Sequence, residues 1–489
     1  MRTCFEIDCR LSKNATAGLP SSAKQTSGEQ HCWTSQQWHP ISKHVLRKMA
    51  ALFVVGLAVL WAGLASAADW CVGIARTDIT PKKPVWMAGY AARDHLPDGK
   101  IHPLWAKAMV IEDSGGRRVV LLTTDLIGFG RTVSDAIKAA VQKQAGIEPE
   151  RVVLNASHTH SGPVVFGCAE VAYGLSEKDR AAAIAYRDEL IEKLGKLVAD
   201  ASKKMQPANL AYGQGKATFA MNRRKRINPD GPVDHTVPVL RVTGDDGRLL
   251  AVLFGYACHN TTLAIYQYNG DYAGFAQVDL EKAHPEATAL FMIGCGADVN
   301  PDPRRTVELA QKHGKSLATA VDQVLAAGKM HPVRGKLAMA FGQVDLPFVD
   351  PPTKDELEKR RGQGNKYQQR LTNLLLDRLA KQGSLANSHP CPVQVVRFGD
   401  DLTLVALPGE TVVDYALRLR KEFPGKPLWV AGYCNDIFAY LPSERVLAEG
   451  GYEGGTAMVY FGWHGPFKPG VEDRVIGLVK KLVSECSGQ

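Results

Sequence analysis

One stretch, residues 151–163 (RVVLNASHTHSGP), limits what this chain can fold into more than any other. It begins with an apolar, β-branched run, which predicts a short buried strand. Small and hydroxyl-bearing residues follow around His158 and His160, and a Gly-Pro pair ends the segment. If the strand conformation continues to its end, both imidazoles project from the same face, because side chains alternate with period two. The pair suits a metal ligand beside an acid/base, or two metal ligands, and hydrogen-bonded surface histidines are the structural alternative.

Further segments repeat this pattern of an apolar run that ends in small polar residues. Residues 249–257 lead towards His259, and residues 289–293 lead into the loop GCGADVNP. Residues 402–406 lead into LPGE, whose Glu410 stands where a helix is predicted to start. Glu410 is therefore either a site carboxylate or an acid that stabilises the helix N-terminus. Strands that finish in such loops are typical of a site at strand ends.

The order of the predicted elements favours an α/β fold. Residues 70–125 are strand-rich, with a hairpin around Ser114-Gly115-Gly116, and an amphipathic helix over 133–145 leads into the strand before His158. Longer helices are predicted at residues 175–204, 307–329 and 353–381, the last one broken by glycines. We predict layered mixed β-sheets flanked by helices, in one large domain with its site at the strand ends.

The N-terminal region predicts export. Residues 49–67 contain an apolar run and end in Ala-Ser-Ala, the small-residue pattern of a signal-peptidase site. The run is short for a bilayer span, and an uncleaved anchor is the alternative. Residues 1–48 lack a hydrophobic period, and we interpret them as a disordered or mis-assigned extension. The mature domain is then residues 68–489, periplasmic or secreted, and long enough for a large core.

Charge and cysteine spacing exclude two other classes of protein. The formal net charge is +9; the leader contributes +4 from seven Lys/Arg and three Asp/Glu, and the rest is spread without long basic runs. This distribution predicts no nucleic-acid partner. Seven cysteines follow the leader without CxxC spacing, which argues against a structural zinc knuckle. Cys258 and Cys295 are predicted to be buried as small hydrophobic residues.

Two other segments have both a functional and a structural interpretation. Residues 221–226 (MNRRKR) are a basic cluster typical of a solvated loop, although one arginine aimed inward would bind a carbonyl or oxyanion. Asp125 ends a strand and is either an outer carboxylate of the site or a cap of a helix or turn. The chain has no Walker loop and no GxGxxG, GxSxG or HExxH motif.

Together, five of these segments resemble a known enzyme family. NASHTHSGP, YACHNTT, GADVNP, LPGE and the YCND…Y…GGYEGG region occur in this order, within residues 72 to about 475. They resemble the catalytic N-terminal domain of the neutral/alkaline non-lysosomal ceramidases. The resemblance implies hydrolysis of the amide of an N-acyl sphingosine with one zinc ion. The expected partner is a lipid or small-molecule amide, with a transient contact to a membrane surface.

The resemblance also implies a zinc-ligand set. The family's motifs place the ligands at His158, His259, Glu410 and Tyr440. Two imidazoles, a carboxylate and a phenol form an N/O shell that suits zinc and leaves room for water or substrate.

Further roles follow from the same motifs. His160 resembles the family's acid/base and orienting residue, and Arg223 and Tyr452 resemble its carbonyl-polarising groups, with Arg224 as the alternative to Arg223. Asp298 and Asn300 lie in the loop that is expected to contact the substrate.

Two departures from the family pattern qualify these expectations. Asn300 stands where the family's GDVSPN loop has a serine, which makes ceramide one of several candidate substrates. Family members usually carry a β-sandwich domain after the catalytic part, and a catalytic domain without it is expected here. The alternatives are a zinc hydrolase of another N-acyl amide or ester, and a non-catalytic metal- or lipid-binding relative. A serine hydrolase is disfavoured because the nucleophile elbow is missing.

Overall fold

The computed structural model describes residues 69–488, so the predicted signal peptide (49–67) and the extension (1–48) lie outside the described residues. Within residues 69–488, no helix combines the length and apolar character that a membrane crossing requires. The strands, in chain order, are β1 Trp70–Asp78, β2 Gly99–Lys100, β3 Trp105–Asp113, β4 Arg118–Thr124, β5 Val152–Ala156, β6 Gln206–Lys216, β7 Ala220–Asn222, β8 Thr236–Gly244, β9 Leu249–Tyr256, β10 Gln267–Tyr268, β11 Thr288–Ile293, β12 Val299–Pro301, β13 His331–Val333, β14 Leu337–Pro347, β15 Ser388–Phe398, β16 Leu402–Ala406, β17 Glu410–Thr411, β18 Leu428–Ala431 and β19 Tyr440–Leu441.

Five of the ten α-helices in residues 69–488 begin after a residue whose side chain caps them. Ser176 caps the long helix α2 by accepting from Asp179 N, and Thr306 caps α4 by accepting from Leu309 N. The helices are α1 Arg131–Ala145, α2 Glu177–Ser202, α3 Asp271–Ala283, α4 Val307–Ala326, α5 Lys354–Arg360, α6 Lys366–Gln382, α7 Val413–Glu422, α8 Glu444–Glu449, α9 Met458–Phe461 and α10 Val471–Ser487.

A large mixed sheet forms the first β-layer. Its strand order is β11-β9-β8-β6-β1-β3-β4-β5, and β13 pairs with β6 as a ninth strand. The predicted hairpin of β3 and β4 is present, with Val110 opposite Val120. Strands β4 and β5 are parallel and are joined by α1, as are β9 and β11 through α3. These parallel pairs make the sheet mixed, because a parallel connection requires a crossover of this length.

A second sheet packs face to face on the first. It has four strands in the order β14-β15-β16-β18, and its β16 and β18 are parallel. Alternate residues of each sheet meet in one core: Met109 and Leu253 from the large sheet pack with Val396 and Leu404 from the small one. Neighbouring residues point to the outer faces, which helices cover. The prediction of layered mixed β-sheets flanked by helices is confirmed.

Asn155 joins the two edges of the large sheet. It lies on β5, at one end of the strand order, yet its Oδ1 accepts a hydrogen bond from Ile293 N on β11, at the other end (3.1 Å). Its Nδ2 donates to Gly432 O, just after β18 (2.8 Å). The loops that follow β5, β11 and β18 are therefore held together, because one fully buried amide satisfies backbone groups from all three.

The seven cysteines of the described residues are free thiols. Cys258 and Cys295 are fully buried in the hydrophobic core, as predicted. Burial raises the pKa of both thiols well above the ordinary value, so they remain neutral and act as small apolar side chains.

Candidate functional site

The first histidine loop does not continue the strand. Strand β5 ends at Ala156, and His158 has a φ of 60°, in the left-handed region that β-carbon-bearing residues rarely occupy. The expectation that His158 and His160 alternate along an extended strand is therefore wrong. The two rings still meet, with their Nε2 atoms 3.1 Å apart, because the backbone turns at His158. Unfavourable backbone geometry of this kind is concentrated at functional sites.

Backbone carbonyls orient two of the histidines. His158 Nδ1 donates to Ile127 O (2.6 Å), and His259 Nδ1 donates to Gly296 O (2.9 Å). A carbonyl oxygen only accepts, so Nδ1 carries the proton in both rings and Nε2 keeps its lone pair. The two lone pairs point into the same space.

Glu410 supplies a carboxylate to that space. Its Oε2 lies 3.3 Å from His158 Nε2 and 3.1 Å from His259 Nε2. Burial alone raises the pKa of Glu410, but the charge and hydrogen bonding of His158 and His259 outweigh it and hold the pKa well below its ordinary value. The helix-cap alternative for Glu410 is excluded, because α7 begins at Val413 and its first amide is capped by Asp298.

His160 differs from the other two histidines. Among the described residues its Nδ1 has no hydrogen-bond partner, whereas the Nδ1 atoms of His158 and His259 are anchored. Burial, followed by the charges of His158 and His259, holds the pKa of His160 well below its ordinary value. Gly89 makes its position possible: a Cβ at Gly89 would lie 2.5 Å from the His160 side chain. His160 is thus packed in place without a fixed proton position.

The donor set fits a metal ion. The nitrogens of His158, His160 and His259 lie within 4.8 Å of one another, and Glu410 Oε2 approaches two of them. The lone pairs converge in a buried space, and the Nδ1 protons of His158 and His259 point away from it. Such lone pairs require a cation or an added proton between them. Imidazole nitrogens with one carboxylate oxygen are the ligands of catalytic zinc sites.

Arg223 and two tyrosines lie beside the histidine cluster. Arg223 Nη2 donates to the Tyr440 hydroxyl (3.0 Å), and its Cζ lies 5.6 Å from the ring centres of both Tyr440 and Tyr452. Burial alone lowers the pKa of Arg223, but Tyr440 and Glu453 raise it well above the ordinary value. The guanidinium therefore stays charged beside the histidines, with Nη1 3.4 Å from His259 Nε2.

Arg224 points elsewhere, which separates the two arginines that the motif left open. Its guanidinium binds Glu449, Glu453 and the carbonyl of Gly450, whereas the guanidinium of Arg223 contacts Tyr440 and approaches His259. The structure therefore shows that Arg223 is the arginine of the basic cluster that points inward.

A cavity of about 260 Å³ opens at this site. Its polar residues include His158, His160 and Glu410, and aromatic or small residues form most of its remaining wall. A larger groove of about 1100 Å³, between α6 and residues 444–469, shares Tyr452 and Tyr460 with the cavity. The reacting centre would thus be a narrow space that adjoins a wide one.

Comparison with known proteins adds an independent observation. Residues 70–295 match the sequence model of the neutral/alkaline non-lysosomal ceramidase N-terminal domain. The resemblance to this family is confirmed. Neutral ceramidase of Pseudomonas aeruginosa is 28% identical over 228 residues, 43% of this chain and 33% of that protein. Neutral ceramidase A of Dictyostelium discoideum is 28% identical over 271 residues, 49% of this chain and 37% of that protein. The aligned sequence thus spans about a third of the length of these relatives.

The fold is also shared with ceramidase structures. The crystal structure of neutral ceramidase from Pseudomonas aeruginosa matches with a TM-score of 0.66 at 21% identity, covering 85% of this chain and 75% of that chain. A ceramidase complexed with C2 matches with a TM-score of 0.67 at 21% identity, covering 85% and 76%. This coverage exceeds residues 70–295, so the ceramidase-like fold extends into the part that carries Glu410 and Tyr440.

Two residues of the ceramidase-like motifs do not reach the cavity. Asp298 is fully buried and accepts from Asn222 Nδ2 and Val413 N, both at 2.9 Å. Asn300 accepts from Thr261 Oγ1 at 3.3 Å, and neither residue lines the cavity. Asp125, the proposed outer carboxylate, accepts from Trp105 N and Gln277 Nε2 instead.

Sequence reasoning assigned no role to three residues that support the site, although each lies in one of the quoted motifs. Tyr433 is buried with its ring 4.5 Å from that of His158, and Glu453 accepts from Arg223 Nε at 2.7 Å. Asn260 ties the histidine loops together, since its Nδ2 donates to Ser157 O and its Oδ1 accepts from Ala273 N. Their membership in YCND, GGYEGG and YACHNTT was the available signal.

Proposed function

We propose that this protein is a zinc-dependent hydrolase of an amide bond, with an N-acyl sphingosine or a related N-acyl lipid as substrate. One observation carries the proposal: two oriented imidazole lone pairs and the Glu410 carboxylate converge beside a charged guanidinium, at the inner end of a cavity. The relatives named neutral ceramidases support an amide as the bond that is cut.

The chain's own groups would hold zinc at His158, His259, Glu410 and Tyr440. When bound, zinc would activate a water molecule and polarise the amide carbonyl. The carbonyl hydrogen bonds to the Nδ1 atoms of His158 and His259 support this set, because metal-binding histidines usually donate their second nitrogen to such partners.

Arg223 and Tyr452 would bind the carbonyl oxygen of the substrate. Tyr452 lines the cavity, and Arg223 donates to Tyr440, which also lines it. The guanidinium is charged and presents a rigid pair of donors. A donor placed at a developing oxyanion is worth roughly 3–4 kcal/mol of transition-state stabilisation. His160 would carry a proton to the departing amine, because one of its ring nitrogens is unanchored.

The shape of the site supports a lipid amide. A cavity of about 260 Å³ is small beside the range of about 300–1,000 Å³ that is usual for pockets that enclose a drug-sized ligand. It has room for the reacting amide and its nearest carbons, and the groove beyond Tyr452 and Tyr460 offers space for a hydrocarbon chain. A different N-acyl amide or an ester with one long chain is the second candidate.

Chelation tests the proposal. Purified protein, residues 68–489, is expected to release sphingosine from a short-chain N-acyl sphingosine, to lose this activity with a chelator, and to regain it with zinc. The reason is that the convergent lone pairs cannot activate water without the ion. Absence of turnover by zinc-loaded protein, on this amide and on N-acyl amides and esters of other amines and alcohols, would disprove the hydrolase proposal.

Replacing His160 by alanine tests whether this histidine transfers a proton or binds the metal. The variant should keep one zinc ion per chain, measured by elemental analysis, while kcat falls by about 10²–10⁴-fold, the usual contribution of a positioned acid/base. His331→Ala is the control, since His331 is exposed on β13 and lines neither the cavity nor the groove. Loss of zinc from His160→Ala would show instead that His160 is a ligand.

A further inference from the structure

Two arginines lie beside a tyrosine at one side of the cavity, and a third is next to one of them in the chain. Tyr90 lines the cavity, and its ring centre lies 4.9 Å from that of His160. The Cζ atoms of Arg93 and Arg305 lie 5.4 Å and 6.0 Å from the Tyr90 ring centre. Arg304 precedes Arg305 in the chain. We call Arg93, Arg304 and Arg305 the arginine cluster.

Arg93 is a buried cation without a carboxylate partner. It is 8% exposed, and it donates to two backbone carbonyls, Ile265 O at 2.8 Å and His160 O at 3.0 Å. Its Nε has no partner among the described residues. Asp94, the next residue, accepts from the Tyr266 hydroxyl instead. A buried guanidinium with an unused donor is costly unless an anion completes it.

Arg304 and Arg305 are unpaired as well. Arg304 is half-buried and Arg305 is exposed. Within residues 69–488, neither side chain donates a hydrogen bond or forms an ion pair, whereas the half-buried Arg420 and Arg445 bind carboxylates at 2.6 Å and 2.7 Å. Arg305 is also held in an unusual backbone conformation, with φ 102° and its N donating to Thr262 O at 2.6 Å. Such a conformation persists where the surroundings impose it.

The charges of the three arginines all act on the Tyr90 hydroxyl. Burial and the charge of Asp271 raise the pKa of Tyr90 to about 12, while the three arginines act in the opposite direction. Burial, and then the charge of Arg305, lower the pKa of Arg304. Arg93 and Arg305 both lie against a tyrosine that lines the cavity, so the cluster places positive charge beside it.

The cluster lies on the side of His160, the residue assigned above to the departing amine. We propose that the arginine cluster binds an anionic group, a carboxylate, sulfonate or phosphate, carried by the amine part of the amide substrate. This inference rests on the proposed hydrolase function and narrows its substrate class to anionic N-acyl amines. An anionic lipid surface has the same charge, but a flat surface does not reach the buried Arg93.

A matched pair of soluble substrates tests the inference. N-octanoyl-β-alanine carries a carboxylate, and N-octanoyl-3-aminopropanol has the same acyl chain with a neutral alcohol. The zinc-loaded protein should show a kcat/KM for the carboxylate roughly tenfold higher, and this ratio should fall as salt screens the exposed arginines. The double variant Arg304→Gln/Arg305→Gln should bring the ratio towards one, mainly through KM, and Arg304→Lys/Arg305→Lys should restore part of it.

Arg474→Gln is the control, an exposed arginine of α10 that does not line the cavity. It should leave the ratio unchanged. Equal kcat/KM for both substrates in the unaltered protein would overturn the inference and leave the hydrolase proposal standing. A ratio that the double variant does not alter would also overturn it. Loss of binding to anionic vesicles by the double variant, without any effect on the soluble pair, would assign the arginines to a lipid surface. Failure to cleave both substrates and short-chain N-acyl sphingosine would count against the hydrolase function itself.

Discussion

Replacing His259 by alanine is expected to abolish both zinc retention and amide hydrolysis. His259 is fully buried, its Nδ1 is fixed by Gly296 O, and its Nε2 faces Glu410 Oε2 at 3.1 Å. Loss of an outer partner of a metal-bound histidine usually costs about 10–100-fold in metal affinity, so loss of the ligand itself should cost more. Elemental analysis and turnover of short-chain N-acyl sphingosine measure the two effects.

The control for this variant is His284→Ala. His284 pairs with Asp322 at 2.8 Å on the protein surface and is not part of the histidine cluster. It should retain zinc and activity. A His259→Ala protein that binds one zinc ion and turns over at the normal rate would refute the ligand assignment.

Replacing Arg223 by alanine should also have a large effect, on the rate of hydrolysis and not on metal binding. We expect kcat to fall by about 10²–10³-fold, the usual cost of removing one oxyanion donor, with one zinc ion retained. The raised pKa of Arg223 supports this expectation, since Tyr440 and Glu453 keep the guanidinium charged. Single-turnover rates and zinc content of the same preparation distinguish the two properties.

Arg224→Ala provides the matched comparison. Its guanidinium is buried between Glu449 and Glu453, which keep Arg445 and Arg223 as partners when it is removed, so the loss should lower the free energy of unfolding by at most roughly 3–5 kcal/mol. Urea denaturation measures that loss. If Arg224→Ala instead reproduced the kcat defect with normal stability, the two arginines would have exchanged roles.

The sequence predicted the site where an apolar strand pattern ends beside residues with metal-binding side chains. The strand before His158, the strand before His259 and the loop before Glu410 each join a buried apolar run to small polar residues, and all three ends meet in the structure. The α/β order of elements followed from the same periodicity. Strand β14 and helix α10 were not predicted, since β14 alternates weakly in burial and α10 follows a glycine and has no side-chain cap.

The sequence did not show which distant residues contact the site residues. Glu453 lies 230 positions from Arg223 in the chain, and Tyr433 lies 174 positions from His259. No local pattern links residues this far apart, because the contact depends on how two sheets and their loops pack. The left-handed turn at His158 is a similar case, since it is imposed by its surroundings and not by its residue type.

The sequence by itself determined the types of chemical group at the site and the strands that deliver them, because residue type and hydrophobic period are local properties. The tertiary structure decided three further points: that Arg223 faces the histidines and Arg224 does not, that Asp298 supports a helix and does not line the cavity, and that Arg93 and Arg305 lie against Tyr90 without an ion pair among the described residues. Each depends on the packing of distant segments, in which burial and charge pairing are decided by neighbours that the linear chain does not reveal.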